Sequence, residues 1–184
     1  MNLWINAIAY QATWLLAIGG AARGWWWLGL ATAVLFAAWQ LRGSARHRAD
    51  APLLLSAVLI GFAVDSAFAA SGLISYRAAV PWPELAPVWI VALWASFALT
   101  LNHSLAYLKT HLRLAAVLGA VGAPLAYSAA ARWDALTLAA PASTTLLILA
   151  AVWGLLTPLL GLLAARLSAP APAALPAAVP GAPR

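Results

Sequence analysis

The stretch LLLSAVLIGFAVDSAFAASGL, residues 53–73, is apolar or small throughout except for one carboxylate, Asp65, and three serines. Its length matches the roughly 20 residues that an α-helix needs to cross the hydrocarbon core of a bilayer. The rest of the chain has the same character, since 65% of its residues are hydrophobic and 8% are charged, whereas about 25% are charged in soluble domains. The composition therefore predicts an integral membrane protein and argues against a soluble domain.

Six apolar runs follow one another along the chain, joined by short segments. They cover residues 3–22, 25–41, 52–74, 86–108, 113–131 and 142–165. The sequence thus predicts an all-α membrane fold, a polytopic bundle of six transmembrane helices within residues 1–167. The first run has no basic segment before it, so we expect an uncleaved helix and not a signal peptide. The Ala/Pro-rich segment 168–184 is expected to be an extended, disordered tail.

The basic residues predict an orientation. Seven of them fall on the side of the termini and three on the opposite side. Short loops rich in Arg and Lys remain in the cytoplasm, so we expect a multi-pass protein of the bacterial inner membrane with both termini cytoplasmic. The basic loop 42–50 is explained by topology and phospholipid contact. The net charge of +6 is not assigned to nucleic-acid binding, because it is not clustered on a soluble element.

The remaining composition limits the chemistry. The chain has no cysteine and only three histidines, which are dispersed, so neither a metal site nor a cofactor is predicted. Tryptophans at positions 25–27 and 82 are expected to lie at the outer membrane interface, where aromatic residues concentrate. Gly119, Gly122, Pro124 and Pro158 are expected to kink or break spans five and six.

Asp65 is the most informative polar residue, because a charged residue at the centre of a membrane helix costs roughly 2.5–3.5 kcal/mol on insertion scales. It needs a partner, a water-filled cavity or a proton, and either a structural or a functional role is open. Gly61, Asp65, Ala69 and Gly72 share one helical face that can pack closely against a neighbour. Tyr127 in span five lies at nearly the same depth. We therefore expect Asp65 to be buried near Tyr127 and span one or four.

A second polar group comes from the stretch FALTLNHSLAYLKTH, residues 97–111. Helical spacing places Ser96, Thr100, His103 and Tyr107 on one face of span four, while span one carries a weaker stripe of Asn6, Tyr10 and Thr13, with Gln11 to its side. His103 is nearer the depth of Asn6 and lies about 10 Å from that of Asp65 at 1.5 Å per residue. Two polar layers are therefore predicted. Each is either a set of interhelical hydrogen bonds or a site, and His103 can exchange a proton near neutral pH.

Four stretches resemble an uncharacterised bacterial membrane family, domain-of-unknown-function family 2878. They are NAIAYQATWLLAIGG, GFAVDSAFAASGL, PVWIVALWASFALTLNHSLAYL and LGAVGAPLAYSAAARWDAL, in the family order. The resemblance supports the six-span fold, implies no established activity, and suggests members encoded near lipid-modifying enzymes of the cyclopropane-fatty-acid-synthase type. Ala123 and Tyr107 depart from a family preference for glycine and tryptophan. The corresponding family positions are Asn6, Gln11, Trp14, Asp65, Trp94, Asn102, His103, Ser104, Pro124 and Tyr127.

Three classes of function remain open. An enzyme acting on lipid or isoprenoid chains would use His103 as acid or base, a small transporter would use Asp65 as a proton or cation site, and a non-catalytic accessory protein would use the polar layers to fold or to dock a membrane protein partner. We expect a lipid or other hydrophobic molecule to bind in a cytoplasm-side polar pocket, in support of lipid modification. The predicted ligand-binding residues are Asn6, Gln11, Asn102, His103, Ser104, Tyr107 and Tyr127, with His103 and Asp65 as candidate catalytic residues.

Overall fold

The computed structural model describes residues 3–43 and 47–169, and within these ranges the chain is predominantly helical. This confirms the predicted all-helical class. Residues 170–184 of the predicted tail lie outside the described residues, and Ser168 is the last residue of a helix. The elements are α1 Leu3–Ala22, α2 Trp26–Gly43, α3 His47–Ala70, β1 Ile74–Tyr76, α4 Val88–Leu101, a 3-10 helix Ala106–Lys109, α5 Leu112–Arg132, β2 Leu136–Leu138 and α6 Ala142–Ser168.

Three of the helices, α3, α5 and α6, are long and apolar enough to cross a membrane by length and composition. In α1, Asn6 and Gln11 interrupt the apolar run, as Gln40 and Arg42 do near the end of α2. Large apolar side chains point away from the protein on several helices, a surface that suits hydrocarbon better than water. Examples are Leu55, Leu125, Leu147 and Leu155, which are 58%, 65%, 71% and 74% exposed.

Helix α4 is shorter than the predicted span 86–108, because it ends at Leu101. The backbone N–H groups of His103 and Leu105 both donate to the Thr100 carbonyl, each at 2.9 Å, which turns the chain out of the helix. The predicted polar stripe is therefore wrong beyond Thr100. Ser96 and Thr100 are buried on α4, whereas Tyr107 lies in the 3-10 helix and is 60% exposed.

The helices pack around α4, which contacts α1, α2, α3 and α6, while α5 packs mainly on α6. Beyond the last turn of α3 and of α5, strands β1 and β2 pair antiparallel, with Tyr76 opposite Leu136. The sequence did not predict this two-stranded sheet. We call this end of the bundle the sheet end. We call the opposite end, where α4 finishes, the His103 end.

The predicted breaks in spans five and six are not found, since α5 continues through Pro124 and α6 continues through Pro158. Gly119 instead allows close packing of these two helices. A Cβ atom at Gly119 would lie 2.2 Å from the Trp153 carbonyl oxygen and 2.3 Å from the Thr157 hydroxyl. Its lack of a side chain is therefore needed for helix contact.

Candidate functional site

Asp65 is fully buried in α3 and accepts three hydrogen bonds. The hydroxyl groups of Tyr76 and Tyr127 donate to its Oδ1 atom at 2.5 and 2.6 Å, and Trp94 Nε1 donates to Oδ2 at 2.5 Å. The predicted contacts with Tyr127 and with span four are thus present. Tyr76 is a partner that the sequence did not indicate, because it lies in the joint after α3 and not in an apolar run. The three donors come from three different elements and hold α3, α4, α5 and β1 together.

Gly61 explains how Trp94 reaches Asp65. Gly61 lies one turn before Asp65 on the same face of α3, and a Cβ atom there would lie 2.1 Å from Trp94 Cγ. The indole ring therefore packs directly on the glycine backbone, which brings its N–H to the carboxylate. This is the close approach expected of the small-residue face. The sequence also placed Gly72 on that face, and this prediction was wrong. Gly72 lies beyond the end of α3, in a left-handed turn with φ of 72°.

His103 forms the second polar centre with Asp50, a residue that the sequence pattern did not single out. His103 Nε2 lies 3.0 Å from Asp50 Oδ2, and both side chains are buried. Asn102 Nδ2 donates to the other oxygen of Asp50 at 2.9 Å. Loop 42–50 looked like a basic topology signal, but Asp50 is its only acidic residue and belongs to the first turn of α3. An acidic residue is favoured in the first turn of a helix, and this preference could have identified Asp50 as part of α3 from the sequence.

Two further contacts close this centre around Asn102. Its Oδ1 atom accepts hydrogen bonds from Lys109 Nζ at 3.0 Å and from Ser168 Oγ at 2.9 Å. Asn102 therefore connects the start of α3, the 3-10 helix and the end of α6. These partners are far apart in sequence, so helical periodicity could not reveal them.

Asn6 forms an adjacent set of hydrogen bonds at the same end. Its Nδ2 atom donates to Gln40 Oε1 and to the Leu99 carbonyl, both at 3.1 Å. Its Oδ1 atom accepts from Ser104 Oγ at 2.6 Å. Each polar side chain of the Asn102–His103–Ser104 sequence is thus bonded to another element. This accounts for three polar residues in a row at the end of an apolar helix.

The other two residues predicted for a ligand site at this end lie apart from these hydrogen bonds. Gln11 is exposed on α1. Tyr107 stacks on His111 with ring centroids 3.5 Å apart at the protein surface. The structure therefore brings Asn6, Asn102, His103 and Ser104 into one buried network.

A cavity of about 310 Å³ lies between α1, α4, α5 and α6, and its lining includes Tyr127 of the predicted ligand residues but none of the others. Its wall is aromatic and aliphatic, and no lining residue is charged. The sequence predicted a polar pocket at the His103 end, whereas this cavity is apolar and lies mainly deeper in the bundle. Its aromatic residues are Tyr10, Trp14, Trp89, Trp94, Phe97, Tyr127 and Trp153.

Asp65 holds part of this wall in place. Trp94 and Tyr127 both donate to the carboxylate and both line the cavity. Trp94 also stacks on Trp153, with centroids 4.3 Å apart and an interplanar angle of 22°, and Phe97 meets Trp153 edge-on at 5.7 Å. The carboxylate thus lies behind the aromatic wall and fixes the orientation of two of its rings.

The cavity opens beside α5. Leu118 and Gly122 line it and are also exposed at the outer surface of that helix. A Cβ atom at Gly122 would meet no atom within 4 Å, so the space beside this glycine is empty. Helices α1 and α5, which face each other across the opening, are not closely packed.

The family relationship is clear from a sequence comparison. The model of a family described as "Protein of unknown function (DUF2878)" matches residues 3–159. No curated protein matches the chain, and no solved structure does. The matched region runs from the first residue of α1 into α6, and it includes Asp65, His103 and the whole of the cavity wall. The chain therefore belongs to the DUF2878 family.

Proposed function

We propose that this protein binds a lipid or other hydrophobic molecule in the cavity between α1, α4, α5 and α6, as an accessory to lipid modification. The observation that carries the proposal is the cavity itself, which is about 310 Å³ in volume, uncharged, lined by seven aromatic residues and open beside α5. Ligand pockets are typically apolar and aromatic clefts of this order of size. A molecule dissolved in the bilayer would enter sideways, without crossing water.

The cavity is elongated along the helices. Its lining on α5 extends from Leu118 to Ala130, a rise of twelve steps, or roughly 18 Å at 1.5 Å per residue. An extended hydrocarbon chain lying parallel to the helices fits this shape better than a compact molecule does. Lipid tails are as apolar as the wall, so selective binding has to come from shape, aromatic contacts and hydrogen bonds.

The proposal includes the membrane arrangement. All six helices cross the inner membrane of a bacterium, with the His103 end and both termini in the cytoplasm. In its support, the first turn of α1 and the last turn of α6 both contact the residues that follow α4. Five of the seven exposed tryptophans among the described residues lie at the sheet end, as in an interfacial belt. They are Trp25, Trp26, Trp27, Trp82 and Trp133, whereas Trp4 and Trp39 lie toward the His103 end.

The enzyme alternative is favoured by one observation, the Asp50–His103 pair. A carboxylate bonded to one imidazole nitrogen fixes the ring and supports acid–base chemistry at the other nitrogen. A head group at the His103 end would be its substrate. Replacing His103 by Gln distinguishes this alternative, because the amide can still donate to Asp50 but cannot transfer protons as an imidazole does.

Lipid extraction from the purified protein tests the cavity proposal. Wild-type protein and the Gly122→Leu variant would be purified into nanodiscs, and the bound lipids compared with the bulk membrane by mass spectrometry. Ala151→Leu is the matched control, because Ala151 is exposed on α6 and does not line the cavity.

We expect one lipid class to be enriched with wild-type protein and with Ala151→Leu, and to be lost from Gly122→Leu, whose new side chain occupies the opening. Lipids in the same proportions as the bulk membrane for all three proteins would refute ligand binding in the cavity.

A further inference from the structure

Unpartnered polar atoms concentrate on the wall of the cavity. Among the described residues, three buried side-chain nitrogen or oxygen atoms form no hydrogen bond, and they are Gln40 Nε2, Trp153 Nε1 and Thr157 Oγ1. Trp153 and Thr157 both line the cavity. Buried polar groups in folded proteins nearly always have a partner, and the cost of lacking one is higher in an apolar environment. These two atoms therefore point to a partner that the chain itself does not supply.

Thr157 departs from the behaviour of other hydroxyl groups in these helices. Thr13, Thr32 and Ser96 donate to the carbonyl four residues earlier, at 2.9, 2.9 and 2.8 Å, as is usual in apolar helices. Thr157 is 97% buried, since its relative exposure is 3%, yet its hydroxyl forms no such bond. The hydroxyl packs beside Gly119 on the cavity wall and has no acceptor among the described residues.

Trp153 lies one turn before Thr157 on the same side of α6, since residues four apart share a helical face. Its indole N–H can only donate. It lies beside the Tyr127 hydroxyl oxygen, but the two groups do not reach hydrogen-bond geometry. Two free donors, one N–H and one O–H, thus lie a single turn apart on the same wall.

We infer that the ligand of this cavity is a long-chain molecule with an uncharged oxygen, such as an alcohol, a ketone or an ester, and that this oxygen accepts hydrogen bonds from Trp153 Nε1 and Thr157 Oγ1. This inference rests on the proposed function and specifies its ligand class. An acceptor oxygen matches two donors. A phosphate or carboxylate does not suit the site, because no lining residue is charged and burying an unpaired charge is costly.

The position of the two donors also orients the ligand. Thr157 packs beside Gly119 in the part of the cavity nearer the His103 end, whereas Trp89, Ala130 and Leu136 line it near the sheet end. The oxygen would lie toward the His103 end, and the hydrocarbon chain would extend past Trp94 and Tyr127 toward the sheet.

Two brominated chains of equal length test the inference, because bromine quenches tryptophan fluorescence. The probes are 12-bromododecan-1-ol and 1-bromododecane, titrated into protein in nanodiscs and corrected for partitioning into protein-free nanodiscs. The proteins are wild type, Thr157→Val, which keeps the shape and removes the hydroxyl, Thr157→Ser, which restores a hydroxyl, and Gly122→Leu, which fills the opening.

We expect wild type to bind the alcohol about tenfold more tightly than the bromoalkane, the size of roughly one hydrogen bond. Thr157→Val should lose part of this preference, since only the Trp153 donor remains, while binding the bromoalkane as wild type does, and Thr157→Ser should retain it. Equal binding of both probes by wild type, as when a water molecule satisfies the donors, overturns the inference and leaves the proposed function standing. An unchanged preference in Thr157→Val also overturns it. If neither probe gives saturable quenching, the proposed function is overturned as well. Saturable quenching that Gly122→Leu leaves unchanged also overturns it, because the probe would then bind elsewhere.

Discussion

The Asp65 carboxylate is surrounded by donors and not by charges. Its oxygens accept hydrogen bonds from Tyr76, Trp94 and Tyr127, so neighbouring side chains of the protein occupy both carboxylate oxygens. A transporter that carried a proton or cation on Asp65 would have to break several of these bonds in each cycle. The arrangement favours a structural carboxylate that positions the aromatic wall of the cavity over the transport alternative.

Replacing Asp65 by Leu should destabilise the protein strongly, because two tyrosine hydroxyls and one indole N–H would lose their acceptor. Each unsatisfied buried donor costs about 1–3 kcal/mol. Asp65→Asn keeps one acceptor oxygen and should be tolerated far better. Thermal unfolding in detergent, followed by loss of the monodisperse peak in size-exclusion chromatography, measures the difference.

Equal stability of the Leu and wild-type proteins would contradict the structural role of Asp65. If Asp65→Asn instead folded normally but abolished a measured ion flux in liposomes, the transport alternative would be supported.

The Asp50–His103 pair should also contribute to stability, because removing the imidazole takes one of its buried hydrogen bonds from Asp50. We expect His103→Ala to cost about 1–3 kcal/mol, because Asp50 keeps its bond from Asn102. His103→Gln should recover part of this loss. The same thermal unfolding assay applies, with the lipid composition of cells carrying each variant as a second measurement.

Two outcomes would change this interpretation. An unchanged unfolding temperature for His103→Ala would show that the pair contributes little to folding. A normally folded His103→Gln variant with an altered lipid profile would favour the enzyme alternative.

The contact between helices α3 and α4 depends on the absence of a side chain at Gly61. A Cβ atom at Gly61 would overlap the Trp94 ring at 2.1 Å. That ring is held on its other side by Trp153 and at its edge by Asp65, so it has little freedom to move. Gly61→Ala should therefore destabilise the protein, by roughly 1–3 kcal/mol as is typical of overpacking.

Gly122→Ala is the matched control for this prediction, because a Cβ atom at Gly122 meets nothing within 4 Å. Both substitutions raise helix propensity equally, so their difference isolates the contact with Trp94. We expect Gly122→Ala to be neutral or slightly stabilising in the same unfolding assay. Equal effects of the two substitutions would mean that Trp94 can shift without cost.

Four of the six apolar runs were predicted close to their observed bounds, because hydrophobicity largely determines where long helices lie in such a chain. The third was predicted as 52–74, whereas α3 begins at His47 and ends at Ala70. The end of α4 was misplaced. Periodicity continued through His103, but the turn there depends on side-chain bonds to Asp50, Asn6 and Ser168. Asp50 is 53 residues from His103 in the sequence. Local patterns carry no information on such distant partners, so the network could be predicted only in part.

Across the whole molecule, counting residues from the helix ends predicted correctly which polar side chains lie at the same depth in the bundle. Asp65 and Tyr127 were placed at one level from residue counts, and they form a hydrogen bond. The cavity could not be predicted in this way. It exists because α1 packs on α4 and α5 packs on α6 while α1 and α5 do not pack closely on each other, and such an empty volume cannot be predicted from any single run of residues.

The same packing gives the molecule two distinct ends, which bears on its proposed orientation. The first described helix begins at the His103 end and the last one finishes there. Basic residues there include Arg42, Arg48, Arg113 and Arg166, and those at the sheet end are Arg23, Arg77 and Arg132. The excess of basic charge at the His103 end is what the positive-inside rule expects of the proposed cytoplasmic side.

Reporter fusions test this orientation and the number of spans together. Green fluorescent protein, which fluoresces in the cytoplasm, and alkaline phosphatase, which is active outside it, would be fused within loop 42–50, within the segment 78–84 and after Arg184. We expect fluorescence at loop 42–50 and after Arg184, because two and six crossings separate these positions from a cytoplasmic N-terminus. We expect phosphatase activity at 78–84, which follows three crossings. Phosphatase activity at loop 42–50 or after Arg184 would overturn the orientation. Opposite reporters at those two positions would show that at least one helix does not cross.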